Sequence, residues 1–177
     1  MLQNNNNNNV LEIFFDDPLA TGFQLRELSR KTGIAPPSVK NYLKELEKEG
    51  LIIVKPHRLQ GFPTYFANRD NEDFKFLKKM NIQRRIRESG LLKYLEDSLL
   101  PDVIILFGSA AKGEDVLGSD IDIFVDTDRK KLDLSEYESL LNRKINIFFE
   151  KDFKKLSKEL KNNILNGIIL CGYIKVY

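Results

Sequence analysis

Two aspartates set two residues apart, Asp120 and Asp122, are the side chains whose type and spacing most demand chemistry. They lie in Gly118-Ser119-Asp120-Ile121-Asp122-Ile123-Phe124-Val125, which alternates as a strand does, so both carboxylates share one face while Ile121, Ile123 and Val125 turn to a core. Like charges on neighbouring positions repel unless something positive sits between them. A hard divalent cation such as Mg²⁺, held by one or two carboxylates and completed by phosphate oxygens, is the usual solution. Upstream, the apolar run Val103 to Phe107 has the length and β-branched content of a strand buried on both faces, and Gly108-Ser109 closes it. A glycine there admits a phosphate close to the backbone, the following amides at a helix start favour an anion, and the serine hydroxyl adds a donor. Either half alone is a common pattern; the ordered pair reads as a phosphate-and-metal site.

These residues resemble the signature of the polymerase β-type nucleotidyltransferase superfamily, and more closely its minimal nucleotidyltransferases, in Leu106-Phe107-Gly108-Ser109, Gly113 and Ser119-Asp120-Ile121-Asp122. The resemblance implies that Gly108, Ser109, Lys112 and Ser119 bind the nucleotide. It further implies that Asp120 and Asp122 hold Mg²⁺ or Mn²⁺, and that a nucleotidyl group, AMP from ATP, passes to an acceptor hydroxyl on nucleic acid or protein. There are two departures. Lys112 stands where the minimal enzymes often carry arginine, keeping the charge without the bidentate fork. On the strand expected over Lys144 to Glu150, Asn146 stands where a third catalytic acid belongs; its carbonyl can meet a metal, but it cannot accept a proton. Glu150 shares its face but lies about 13 Å away at about 3.3 Å per residue. The family also includes antitoxins that adenylylate a HEPN-type toxin, which makes such a partner one candidate acceptor. The alternative is a DNA-binding regulator or antitoxin whose domain binds nucleotide and transfers it weakly or not at all.

The elements around this centre divide the 177 residues into two modules. Residues 10–69 read as a winged helix-turn-helix. Leu25 and Leu28 space a first helix that stops at Thr32-Gly33. Pro36 opens a second helix with Val39, Tyr42, Leu43 and Leu46 inward, and Gly50 ends it. Leu51 to Leu59 and Phe62 to Ala67 form the hairpin of the wing. The resemblance extends to the run Leu46-Glu47-Lys48-Glu49-Gly50-Leu51-Ile52. It implies DNA contact by Ser38, Lys40, Asn41 and Lys44 on the second helix and by His57 and Arg58 at the wing, and it is compatible with a homodimer. Residues 1–9 hold a polyasparagine run read as disordered or as a frayed helix extension. Residues 70–100 read as a basic helical connector, with six cations and no acid between Lys75 and Arg87. Residues 101–177 read as the nucleotidyltransferase module: an α/β (α+β) domain with one mixed sheet, one helix over Phe153 to Leu165 and a last strand from Ile168.

Composition is that of a globular protein, with 42% hydrophobic and 31% charged residues. No run approaches the ~20 apolar residues of a membrane span. The single cysteine, Cys171, excludes an internal disulfide and fits a reducing cytoplasm. A net charge of +2 implies no nucleic acid by itself.

Overall fold

The computed structural model describes residues 5–56 and 61–174, and the chain falls into two compact units, Met1–Lys78 and Lys79–Tyr177. The first unit opens with helix α1 (Asn5–Asp16), so of the two readings of the polyasparagine run, asparagines 5–9 take that of a helix extension. Strand β1 (Phe23–Gln24) then leads into α2 (Leu25–Thr32) and α3 (Pro36–Lys48), and β2 (Ile52–Pro56) and β3 (Pro63–Ala67) make an antiparallel hairpin. The sheet order is β1-β3-β2; the two-residue β1 is too short for any alternation signal and is absent from the sequence reading.

The turn between α2 and α3 is fixed by local chemistry. Gly33 takes φ 70°, a left-handed conformation that glycine adopts without Cβ strain. Thr32 Oγ1 accepts the Ile34 N–H at 3.3 Å, and Ser29 Oγ donates to the Ile34 carbonyl at 2.6 Å. At the far end of α3, Gly50 N–H bonds the Glu47 carbonyl and Leu51 N–H the Leu46 carbonyl, a Schellman closure that turns the chain into β2. Val39, Leu43 and Leu46 are buried on the inner face of α3, each contributing about 1.5–3 kcal/mol of burial, against a core that includes Phe14, Phe23 and Leu28.

Helix α4 (Glu72–Glu88), which lies in the helical connector expected over 70–100, crosses the boundary between the units. Phe74 and Leu77 belong to the first core, and Ile82 and Ile86 to the second. Most of the cations of the basic run are engaged locally. Lys75 pairs with Glu72 and Arg84 with Glu88, Lys78 is buried, and Arg85 and Arg87 donate to the carbonyls of Leu141 and Leu170.

In the second unit, α5 (Leu91–Leu99) precedes β4 (Val103–Phe107), α6 (Gly108–Lys112), β5 (Ile121–Val125), α7 (Ser135–Leu141) and β6 (Ile145–Phe149). After a 3-10 turn over Phe153–Lys155 come α8 (Lys158–Leu165) and β7 (Ile168–Gly172). The sheet is mixed, in order β6-β5-β4-β7, with β5 and β6 parallel and the other pairs antiparallel. All five residues of β4 are buried, Ile104 and Leu106 in one core and Val103, Ile105 and Phe107 in another, as a central strand covered on both faces requires. The expected single helix over Phe153 to Leu165 is broken. Asp152 caps the 3-10 turn, and Ser157 restarts the chain as a fresh N-cap, its Oγ accepting the Leu160 N–H at 3.2 Å. Cys171 is half-buried, and its thiol is pushed up by a hydrogen bond with Glu96, then by burial, which suits an unreactive side chain.

Candidate active site

The antiparallel register of β4 with β5 sets Phe107 opposite Asp122, which brings the end of one strand and its turn against the carboxylates of the next. Gly108, the first residue of α6, has φ +75°, and a Cβ built on it would lie 2.5 Å from Asp122 Oδ2. Only a residue without a side chain allows this approach. Gly108→Ala is expected to cost about 1–3 kcal/mol in strain, read by a melting curve. An unchanged melting temperature would show that the close approach is incidental.

Parallel pairing of β5 with β6 then sets Asn146 opposite Asp122. Asn146 Nδ2 donates to Asp120 Oδ2 at 3.1 Å and to Asp122 Oδ1 at 3.0 Å. Both aspartate oxygens therefore lie within about 3 Å of one nitrogen, and one amide spans the like-charged pair. Asp120 and Asn146 are exposed and Asp122 is half-buried, so the three converge at a solvent-facing end of the sheet. Glu150, on the same strand face, instead accepts the Asp152 N–H at 2.9 Å.

Of the other residues expected at the nucleotide, Ser109 is half-buried in the first turn of α6, and Lys112 is exposed at its far end. Ser119 is tied into its own turn: its Oγ accepts the Val116 N–H, and its N–H donates to the Val116 carbonyl, both at 2.9 Å. That fixes the approach to Asp120 and leaves the hydroxyl proton for a ligand.

Three features near this centre escaped the sequence reading. Arg143 Nη1 donates to Asp115 Oδ2, and both side chains are almost fully buried, so the turn before β6 is fastened to the loop before β5. Lys144 pairs with Glu138 at 2.8 Å. That hydrogen bond and then the Glu138 charge raise its ammonium above the usual range, with a lesser contribution from Asp120. Phe148, two residues beyond Asn146 on the same strand face, is 39% exposed and meets the Phe107 ring edge-on at 5.2 Å. Strand alternation alone identifies Phe148 as an apolar side chain on the acidic face; the Arg143–Asp115 pair leaves no local signal.

Among the described residues, no group of three or more His, Cys, Asp or Glu side chains is disposed to hold a metal ion. The donor set at this site is two carboxylates and one amide, all oxygen donors if the amide turns its carbonyl inward. That set fits Mg²⁺, which takes one or two carboxylates and draws its remaining ligands from phosphate and water. On the winged-helix unit, Lys40, Asn41 and Lys44 are exposed along α3 and Ser38 is half-buried; His57 and Arg58 lie outside the described residues.

A strand closed by a Gly-Ser turn thus lies beside a carboxylate pair on the neighbouring strand of a mixed sheet, as the nucleotidyltransferase resemblance implies. Residues 89–174 match the family model described as polymerase beta nucleotidyltransferase, and residues 24–53 match the winged helix-turn-helix DNA-binding model. The protein thus carries a winged helix-turn-helix DNA-binding domain followed by a polymerase β-like nucleotidyltransferase domain. No curated protein and no solved structure matches the chain. No helix among the described residues is long and apolar enough to cross a membrane.

Proposed function

We propose that the protein is a Mg²⁺- or Mn²⁺-dependent nucleotidyltransferase that moves a nucleoside monophosphate, AMP from ATP, to a hydroxyl on nucleic acid or on a partner protein. The observation that carries this reading is the convergence of Gly108, Asp120, Asp122 and Asn146 at one end of the sheet. In the reaction the acceptor oxygen forms a bond to the α-phosphorus, the bond to the β-phosphate bridging oxygen breaks, and pyrophosphate leaves. The bound divalent ion neutralises phosphate charge. Asp120 and Asp122 hold that ion, Gly108 and Ser109 admit and orient the triphosphate, and Lys112 and Ser119 add a cation and a donor. With asparagine at position 146 no third carboxylate takes the acceptor's proton, which passes to solvent water or to a phosphate oxygen of the nucleotide. Rate then comes from positioning and charge neutralisation, which dominate phosphoryl transfer.

A second reading is favoured by the Asn146 hydrogen bonds. The amide donates one hydrogen bond to each carboxylate and brings no third negative charge, as suits a nucleotide-binding regulator or antitoxin whose transfer is weak. A HEPN-type toxin is one protein acceptor consistent with either reading, and the single cysteine suits a cytoplasmic setting. The discriminating experiment incubates the chain with α-labelled ATP, Mg²⁺ or Mn²⁺, and separate DNA, RNA and protein acceptors. Label appearing on an acceptor class establishes transfer and names the class. ATP binding without transfer supports the regulator.

For the winged-helix domain we propose that α3 enters a major groove, with Lys40 and Lys44 on phosphates and Ser38 and Asn41 toward base edges, and with His57 and Arg58 at the wing. A homodimer on a two-fold site is one arrangement of this kind. Lys40→Ala with Lys44→Ala is expected to weaken DNA binding about equally on all sequences and to reduce the slope of log K against log salt by roughly 0.9 for each phosphate no longer neutralised. An unchanged slope in a salt titration would remove α3 from the interface.

A further inference from the structure

The segment after β5 and the outer side of β6 enclose an open cleft of about 500 Å³, on the sheet face opposite Asp122 and Asn146. Its rim is Arg129, Lys130 and Lys131, all exposed, with Lys130 Nζ donating to the Ser98 carbonyl at 3.1 Å, and no carboxylate is among its lining residues. Its floor is apolar, formed by Leu132 and Leu134 with Ile147 and Phe149 of β6.

The backbone of β6 gives this cleft a second property. Glu150 N–H donates to the Val125 carbonyl and the Lys144 carbonyl accepts the Ile121 N–H, so the even-numbered residues of the strand turn their polar groups toward β5. Those of Ile145, Ile147 and Phe149 point outward. The Ile145 N–H is met by Glu138 Oε1 at 3.1 Å. Beyond it β6 is the edge of its sheet, so no strand among the described residues meets Ile147 and Phe149. Two ladder positions are thus open beside an apolar floor and a triple cation.

We propose that this cleft is a docking site for an extended acidic segment of a partner protein, which adds to β6 as a further strand. Its backbone takes the open positions at Ile147 and Phe149. Of its side chains on the cleft face, every second residue, the apolar ones lie on Leu132 and Leu134 and the acidic ones meet Arg129 and Lys131, while the residues between them face away from the cleft. A nucleic acid backbone has no groups in register with a sheet edge. A second copy of this chain paired through the same edge would bring the same three cations to the junction. The site is independent of nucleotidyl transfer.

The test uses the full chain and a short fluorescent peptide in which every second residue, on one face, is in turn valine or glutamate with threonines between, followed by anisotropy and by the amide resonances of Ile147 and Phe149. The expected results are saturable binding, shifts at those two amides, loss of binding when proline interrupts the peptide, and a drop of about tenfold or more in Arg129→Glu with Lys131→Glu. Asp122→Asn should bind the peptide as the parent does. The proposal is overturned by any of four results: no binding of the glutamate–valine peptide, equal binding of a lysine–valine peptide, an oligothymidylate shifting the same amides, or sedimentation as a dimer that the charge reversal dissociates.

Discussion

Asp122→Asn is expected to lower metal-dependent nucleotidyl transfer by about 10³-fold, roughly 4 kcal/mol of transition-state stabilisation, with little loss of stability. The substitution keeps the shape of the side chain beside Gly108 and removes the charge proposed to hold the ion. Asp122 is also the less exposed of the two aspartates and the one against which the Gly108 backbone closes, which leaves little room for a substitute ligand on that side. The companion substitution runs the other way. Asn146→Asp supplies the third carboxylate opposite Asp122 and is expected to raise transfer by about 10²-fold, the lower end of what a positioned general base contributes. Without metal it brings three carboxylates together, so the metal-free domain should melt lower and regain stability as Mg²⁺ is added. Single-turnover kinetics on the labelled acceptor, beside melting curves with and without Mg²⁺, read both. Full activity in Asp122→Asn would refute the proposed site. A gain in Asn146→Asp from a barely active parent would instead favour the regulator reading of the natural chain.

The largest effect on stability is expected at Asp115→Ala. This substitution leaves the buried Arg143 guanidinium without its carboxylate and should cost about 3–5 kcal/mol. For a unit of this size the loss corresponds to a melting transition lower by very roughly 15–30 °C, measurable by calorimetry. Replacing both partners by apolar residues, Asp115→Leu with Arg143→Met, should recover most of the loss, because the cost arises from stranding one charge rather than from losing the pair. A single-site loss below about 1 kcal/mol would mean that water reaches the guanidinium once the carboxylate is gone. The pair joins the loop before Asp120 to the turn before Asn146, so its removal should also loosen the site that those two segments present.

Much of this architecture is local and therefore legible. The five-residue apolar run of β4, the alternation through Asp120 and Asp122, and the stops at Gly33 and Gly50 are written in neighbouring residues, and each element lies where its pattern places it. Asn146 is legible for the same reason. Strand periodicity and the family resemblance pick it as the residue in the third acid's place, and the parallel register sets it opposite Asp122. What eluded the sequence depends on partners distant along the chain. Asp115 and Arg143 stand 28 residues apart, and neither flanks a recognisable motif. In the basic run of α4, Arg85 and Arg87 bond the carbonyls of Leu141 and Leu170, which no local pattern announces. Ser157 interrupts a helix that periodicity continues, because a side-chain oxygen at an N-cap competes with the apolar pattern and is easily overlooked within it.

The sheet order carries a consequence for how the site breathes. Asp122 rides on β5, an interior strand with neighbours on both sides, whereas Asn146 rides on β6, a rim strand with a neighbour on one side. Amide protons of β4 and β5 should consequently exchange with deuterium only on the deepest openings of the domain, and those of β6 on shallower ones. Fluctuations that fray the rim would carry the asparagine away while the aspartate beside the Gly-Ser turn stays fixed, leaving its carboxylate oxygen bare to solvent. The domain thus holds its charged ligand on the slow-exchanging part of the fold and its neutral bridge on the faster one.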